Sequence, residues 1–194
     1  MEVAPQLLGR RLSSTGEGGT VTVVLTEVEA YAGADDPASH SYRGPTPRNE
    51  VMFGPPGHLY VYLSYGIHWC ANVVTGPEGE ASAVLLRAGR VVEGHDLARR
   101  RRGERIADRA LARGPGCLGQ ALDLSRAENG LDLLGEGPLR LLPGEPVAPD
   151  GITSGERVGV RLAHDRPWRF WTTGEPSVSS YKRSPRAADE PADG

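Results

Sequence analysis

The run VTVVLTEVEAY, residues 21–31, is dense in β-branched side chains and alternates closely enough with a period of two to read as a strand. A second run, LYVYLSYG at residues 59–66, has the same character and ends at a Tyr-Gly turn. Together they hold Tyr31, Tyr60, Tyr62 and Tyr65, four of only 6 tyrosines in the chain. In a regular strand Glu29 and Tyr31 share a face, and so do Tyr60 and Tyr62. A carboxylate beside flat rings can hold a planar, electron-poor ring in a stack while a base activates a nucleophile next to it, and an extruded nucleobase is such a ring. Glu27 falls on the same predicted face as Glu29, so the pattern alone leaves either as that base.

Outward from these runs, residues 4–12 read as a short helix and SSTGEGG, residues 13–19, as a turn. Residues 33–45 read as a loop. Thr46-Pro47 then signals a brief helix with Thr46 as its cap, stopped by Gly54-Pro55-Pro56-Gly57. Strands are expected at 59–64 and 67–74, joined tightly at Tyr65-Gly66, and at 81–88. Residues 93–112 read as mostly helical with Gly103 as a weak point, and Pro115 opens another helix to Leu124. Short strands follow at 139–142, 157–162 and 168–172, and residues 186–194 read as a disordered tail. No repeat or linker divides the chain. The expectation is a single domain over 1–185 of α+β class, with a curved, mainly antiparallel sheet and surrounding helices.

With 38% hydrophobic and 24% charged residues in 194, the composition is that of a soluble globular protein. No apolar run approaches the roughly 20 residues of a membrane span, and the first residues lack a signal-peptide core. Cys70 and Cys117 are too few for a disulfide framework or a multi-cysteine metal site. A reduced, cytoplasmic setting is expected. The sequence has no HExxH, no CxxC, no phosphate-binding glycine loop followed by Lys and Ser or Thr, and no GxSxG elbow. The five histidines lack paired ligand spacing, and no metal or other cofactor is expected. The net charge of -3 hides an asymmetry: residues 87–113 carry nine Arg against four acids, whereas 128–150 carry five acids and one Arg. Such a polarised surface can meet phosphate although the total is acidic.

At this point the residues resemble a known family. The segments TEVEAYAGADDPASHSYRGPTPRN (26–49), MFGPPGHLYVYLSYGIHWCANVV (52–74) and VLLRA (84–88) are similar to the alkyladenine, or 3-methyladenine, DNA glycosylases. GPGCLGQAL (114–122), RVGV (157–160) and PWRFW (167–171) agree, so the likeness covers nearly the whole chain. The resemblance implies an open, barrel-like core and hydrolytic removal of alkylated or deaminated purines from double-stranded DNA. It names 3-methyladenine, 7-methylguanine, hypoxanthine and ethenoadenine as the class of bases, and it implies a monomer that leaves an abasic site.

The resemblance also implies roles. Glu29 is the general base for water, and Arg87 and the backbone carbonyl of Val158 help to hold that water. Tyr31, His40 and Tyr62 wall the flipped base, Asn72 crowds the amino group of guanine, and Tyr65 enters the duplex where the base was. Tyr60 reads as core packing. Two departures stand out: the loop at 41–45 is short, and Cys117 stands where many members have Lys. With 21 Arg and one Lys, Lys182, the chain offers few amines for a Schiff base, which fits water as the nucleophile. On the residues alone two rivals remain: a silent nucleic-acid-binding module, and a hydrolase of free nucleosides or glycosides that uses Glu27 and Glu29 as a pair.

Overall fold

Residues 21–31 lie within the strand that organises the sheet. In the structure, a computed structural model describing residues 2–187, β1 (Arg11–Gly16) and β2 (Gly19–Tyr31) form a hairpin closed by Glu17 and Gly18. The expected helix at 4–12 shrinks to α1 (Val3–Gln6). Gly9, at φ 82, turns the chain into β1; a Cβ there would sit 1.9 Å from the Glu145 carbonyl oxygen, so only glycine fits. The expected 13–19 turn is therefore mostly strand.

Next come β3 (Leu59–Ser64), β4 (His68–Thr75) and β5 (Ser82–Glu93), all antiparallel neighbours, with β5 running beyond the expected 81–88. The sheet continues with β6 (Ala112–Arg113), β7 (Leu139–Leu142), β8 (Ile152–Gly155) and β9 (Arg169–Thr172). The main path is β3-β4-β5-β2-β1-β7, with β6 on β5, and β9 joining β2 to β8. It is an open sheet of antiparallel pairs, in agreement with the expected α+β class. Residues 157–162 form no strand; β8 ends before them, and their place is fixed by a buried arginine described below.

The register of β2 on β5 decides which side chains face which way. Leu25 pairs with Gly89, Glu27 with Ala88, and Val28 with Leu86. Thr26 is thus an extra residue in β2 and Arg87 an extra residue in β5, two bulges that compensate one another. Before the bulge Val21, Val23 and Leu25 enter the main core; after it Val28 and Ala30 do. The alternation has switched face, and Glu27, Glu29 and Tyr31 now point away from that core.

α2 (His95–Arg102) stops at Gly103, short of the expected 93–112, and α3 (Pro115–Ala121) starts at the expected proline. α3 lies close on β4: a Cβ on Gly119 would be 2.1 Å from the Trp69 carbonyl oxygen. The helix expected from Thr46 does not form. Instead Asn49 Oδ1 accepts both the N–H and the hydroxyl of Thr46, at 2.6 and 2.9 Å, and Asn49 Nδ2 donates to the His40 and Gly44 carbonyls. A short polar side chain has outcompeted the helix for local backbone groups, and a 3₁₀ turn at Glu50–Phe53 follows. The tail expected at 186–194 lies, from 188 onward, outside the described residues. No helix among the described residues is long and apolar enough to cross a membrane.

Candidate active site

A cavity of about 610 Å³ opens on the face that Tyr31 joins after the bulge. Tyr31, His40, Tyr62, Asn72, Arg87 and Val158 all line it, and Tyr65 stands at its edge. Segments far apart in the chain therefore supply one wall each. The sheet, the 37–40 loop and the 158–162 segment all line the cavity.

Glu29 lies one bond behind this wall, fully buried. Its Oε2 accepts the Tyr31 hydroxyl at 2.9 Å and lies 3.4 Å from Arg87 Nη1. Its Oε1 accepts the backbone N–H of Val158 at 2.7 Å. Val158 thus meets Glu29 through its N–H, a contact that sequence reasoning, which named its carbonyl, did not include. A carboxylate has about four acceptor directions; among the described residues these three partners leave one on Oε1. Burial, with the Glu29 charge second, pushes the Tyr31 phenol well above its usual range, so Tyr31 stays a hydroxyl donor.

Glu27 has a different environment although it points to the same side. Its Oε1 accepts Arg87 Nε at 2.8 Å, Arg169 Nε at 2.7 Å and the Ser179 hydroxyl at 2.8 Å, and its Oε2 accepts the Ser179 N–H at 2.6 Å. Burial alone would raise its carboxyl, but the Arg87 and Arg169 guanidiniums outweigh that and hold it below the usual carboxylate value. Arg87 spans both acids. Burial works against its charge, and Glu29 and Glu27 together more than offset it.

The aromatic groups form a slot. Tyr60 and Tyr62 stack with centroids 5.8 Å apart, and His40 meets Tyr62 edge-on at 4.5 Å. Tyr60 is buried, as expected of a core residue, yet its hydroxyl reaches His40 Nδ1 at 3.1 Å. Burial and then the nearby Arg48 charge lower the His40 value, favouring the neutral ring. Asn72 is buried, and its Nδ2 donates to the Tyr60 carbonyl at 3.1 Å. Tyr65 is 90% exposed at the β3–β4 tip, with φ 51 followed by Gly66 at φ 71. A bulky residue in left-handed backbone, projecting into solvent, costs free energy that packing does not return.

Sequence reasoning missed Ser179 and gave Asp36, Arg48, Arg157 and Arg169 only as parts of motifs, with no role. Their signal was weak because each works through a partner distant in the chain. The arginine run also proves different in part: Arg99 binds Asp96 and Asp108, Arg101 the Ala121 carbonyl, and Arg102 the Leu111 carbonyl, Gln120 and the Cys117 sulfur. Much of that positive charge ties α2 to α3. Lys182 accepts the Gly159 N–H through its carbonyl at 3.0 Å, and the residue is exposed.

The comparisons with known proteins fit this geometry. A family model described as methylpurine-DNA glycosylase matches residues 1–176. A protein of Streptomyces avermitilis is 53% identical over 94% of this chain and 87% of its own length. One of Frankia casuarinae is 54% identical over 96% and 90%, and one of Cutibacterium acnes 53% over 92% and 94%. All three are described as candidate 3-methyladenine DNA glycosylases.

Proposed function

The chain belongs to the methylpurine-DNA glycosylase family, and from that premise we propose that it excises alkylated and deaminated purines from duplex DNA by direct attack of water. The observation that carries this reading is the Glu29 carboxylate, bound by Tyr31, Val158 N–H and Arg87 directly behind an aromatic slot. The flipped purine stacks between Tyr31 on one side and His40 and Tyr62 on the other, as a planar ring does against aromatic faces. Tyr65 fills the gap left in the duplex.

Water then occupies the remaining acceptor direction of Glu29 Oε1, with Arg87 beside it. As the bond from sugar to base lengthens, the sugar gains oxocarbenium character that the carboxylate stabilises. Glu29 takes the water proton while the oxygen bonds to the sugar carbon, and the base leaves with the electrons of the broken bond. A base alkylated at a ring nitrogen is already cationic and leaves readily; hypoxanthine is neutral and depends more on this assistance. The protein acts as a monomer in the cytoplasm, without a cofactor. Hydrolysis by a Glu27–Glu29 pair, with Glu27 as acid, finds no support: Glu27 is held ionised between two arginines.

The test is incubation with duplexes that each carry one damaged purine, scoring free base and abasic sites. Base release is expected with the strand intact until alkali or heat is added. Release of no base from any duplex, or activity only on free nucleosides, would refute the proposal.

A further inference from the structure

The acid that the mechanism leaves unused accepts four hydrogen bonds. Glu27 follows Thr26, the extra residue of the β2 bulge, and it grips Arg87, the extra residue of the β5 bulge. The chain past β9 returns over this point as a strap. Ser177 Oγ bonds Thr26 Oγ1 at 2.9 Å, and Ser179 reaches Glu27 with both its N–H and its hydroxyl. The same hydroxyl accepts Arg87 Nη2 at 3.3 Å, Arg169 Nη2 donates to the Ser179 carbonyl at 2.6 Å, and Arg113 donates to the Val178 carbonyl at 2.8 Å.

Arg87 therefore has its Nε fixed by Glu27, its Nη2 by Ser179, and only its Nη1 turned to Glu29. A guanidinium is a rigid plane, so fixing two of its nitrogens determines where the third points. The separation of 3.4 Å between Nη1 and Glu29 is longer than those of 2.8 and 2.7 Å at Glu27. Arg87 Nη1 faces Glu29 Oε2; free of Glu27, the guanidinium would close on the carboxylate as a fork and cover the one Oε1 direction left for water.

We propose that Glu27, locked by Arg169 and the 177–179 strap, is a positioning residue that holds Arg87 off Glu29 and so keeps Glu29 open to water. This rests on Glu29 being the base, as proposed above. Glu27→Gln retains size and removes the charge that competes for Arg87. Ser179→Ala removes only the hydroxyl shared by Glu27 and Arg87, and serves if the first variant does not fold.

The measurement is single-turnover excision of hypoxanthine and of 7-methylguanine from matched duplexes, alongside duplex Kd. Glu27→Gln is expected to slow hypoxanthine release by about 10²-fold, the scale of a misplaced catalytic group. Release of the cationic base should change far less, with Kd preserved, and Ser179→Ala should show the same selectivity at smaller size. Equal loss for both bases, or wild-type rates, would overturn the proposal, because a general structural defect does not distinguish leaving groups. A crystal structure of Glu27→Gln gives a readout independent of activity: Arg87 moves toward Glu29, and an unmoved Arg87 refutes the inference. If the wild-type protein releases neither base, the functional reading fails, while that crystal structure still decides the role of Glu27.

Discussion

Arg157 and Asp36 form a two-pronged ion pair entirely inside the protein, Nη1 to Oδ2 at 2.5 Å and Nη2 to Oδ1 at 2.9 Å. The pair joins the two loops that wall the cavity. Arg157 precedes Val158, whose N–H holds Glu29, and it also donates to the Ala30 and Ala163 carbonyls. Asp36 accepts the N–H groups of Ala32 and Ala38 and so shapes the approach to His40. The Arg157 guanidinium lies 4.8 Å from the Tyr31 ring centre, directly beside the site.

Asp36→Asn should destabilise the fold by about 3–5 kcal/mol, because it leaves a buried guanidinium without its counter-charge. Urea denaturation monitored by circular dichroism measures this. A loss below about 1 kcal/mol would show that the pair does not hold the two loops, since that is the scale of an exposed ion pair.

Glu29→Gln keeps the shape and removes the proposed base. Single-turnover release of hypoxanthine should fall roughly 10²- to 10⁴-fold, with duplex binding largely kept. Near-normal activity in this variant would assign the base elsewhere.

Tyr65→Asn should separate folding from function. Asparagine tolerates positive φ better than tyrosine, so relieving the φ of 51 should raise stability by roughly 1 kcal/mol. Loss of a ring that stacks on bases, a contact of about 1–3 kcal/mol, should weaken lesion-duplex binding roughly 5- to 150-fold. Thermal melts and fluorescence titration check both signs; unchanged affinity would mean that Tyr65 does not enter the duplex.

Asn72→Ala should admit bases with a 2-amino group, so that undamaged guanine is released more readily by the variant than by the parent. The readout is the ratio of guanine to hypoxanthine release. An unchanged ratio would place the exclusion on another part of the cavity.

Glu27 makes acid stability predictable in sign. Its folded value is depressed below 4.5, so protonation favours the unfolded chain. The stability it contributes is complete above the ordinary carboxylate value and is lost as pH falls through the lower folded value. Stability measured in urea from pH 6 to pH 3 should drop less steeply in Glu27→Gln than in the parent. Equal slopes would show that other carboxylates govern the acid limb.

The local features were readable along the chain because they depend on neighbours. Val21 to Tyr31 alternates as a strand, and Tyr31 donates to Glu29 because residues two apart share a face. Tyr65 projects because an aromatic before Gly66 at a hairpin tip has no core to enter. The elements that failed were those whose fate depends on a partner elsewhere. Thr46 lost its helix to the side chain of Asn49, and residues 157–162 lost their strand to the grip of Asp36 on Arg157.

The strand pattern does not separate Glu27 from Glu29; the family resemblance names Glu29, and the physical reason lies in tertiary structure. Both sit on one predicted face with the same spacing pattern, and nothing local separates them. Their surroundings diverge because β5 pairs with β2 through two compensating bulges, which bring Arg87 between them and turn both away from the core. Arg169 and Ser179, 142 and 152 residues further along the chain, then saturate Glu27. Val158, 129 residues from Glu29, leaves that carboxylate one direction open. The sequence by itself determined which side chains were available and which neighbours share a face, through the two-residue period of a strand. Which carboxylate keeps an open acceptor direction was decided only when register and long-range ion pairing fixed the partners of each.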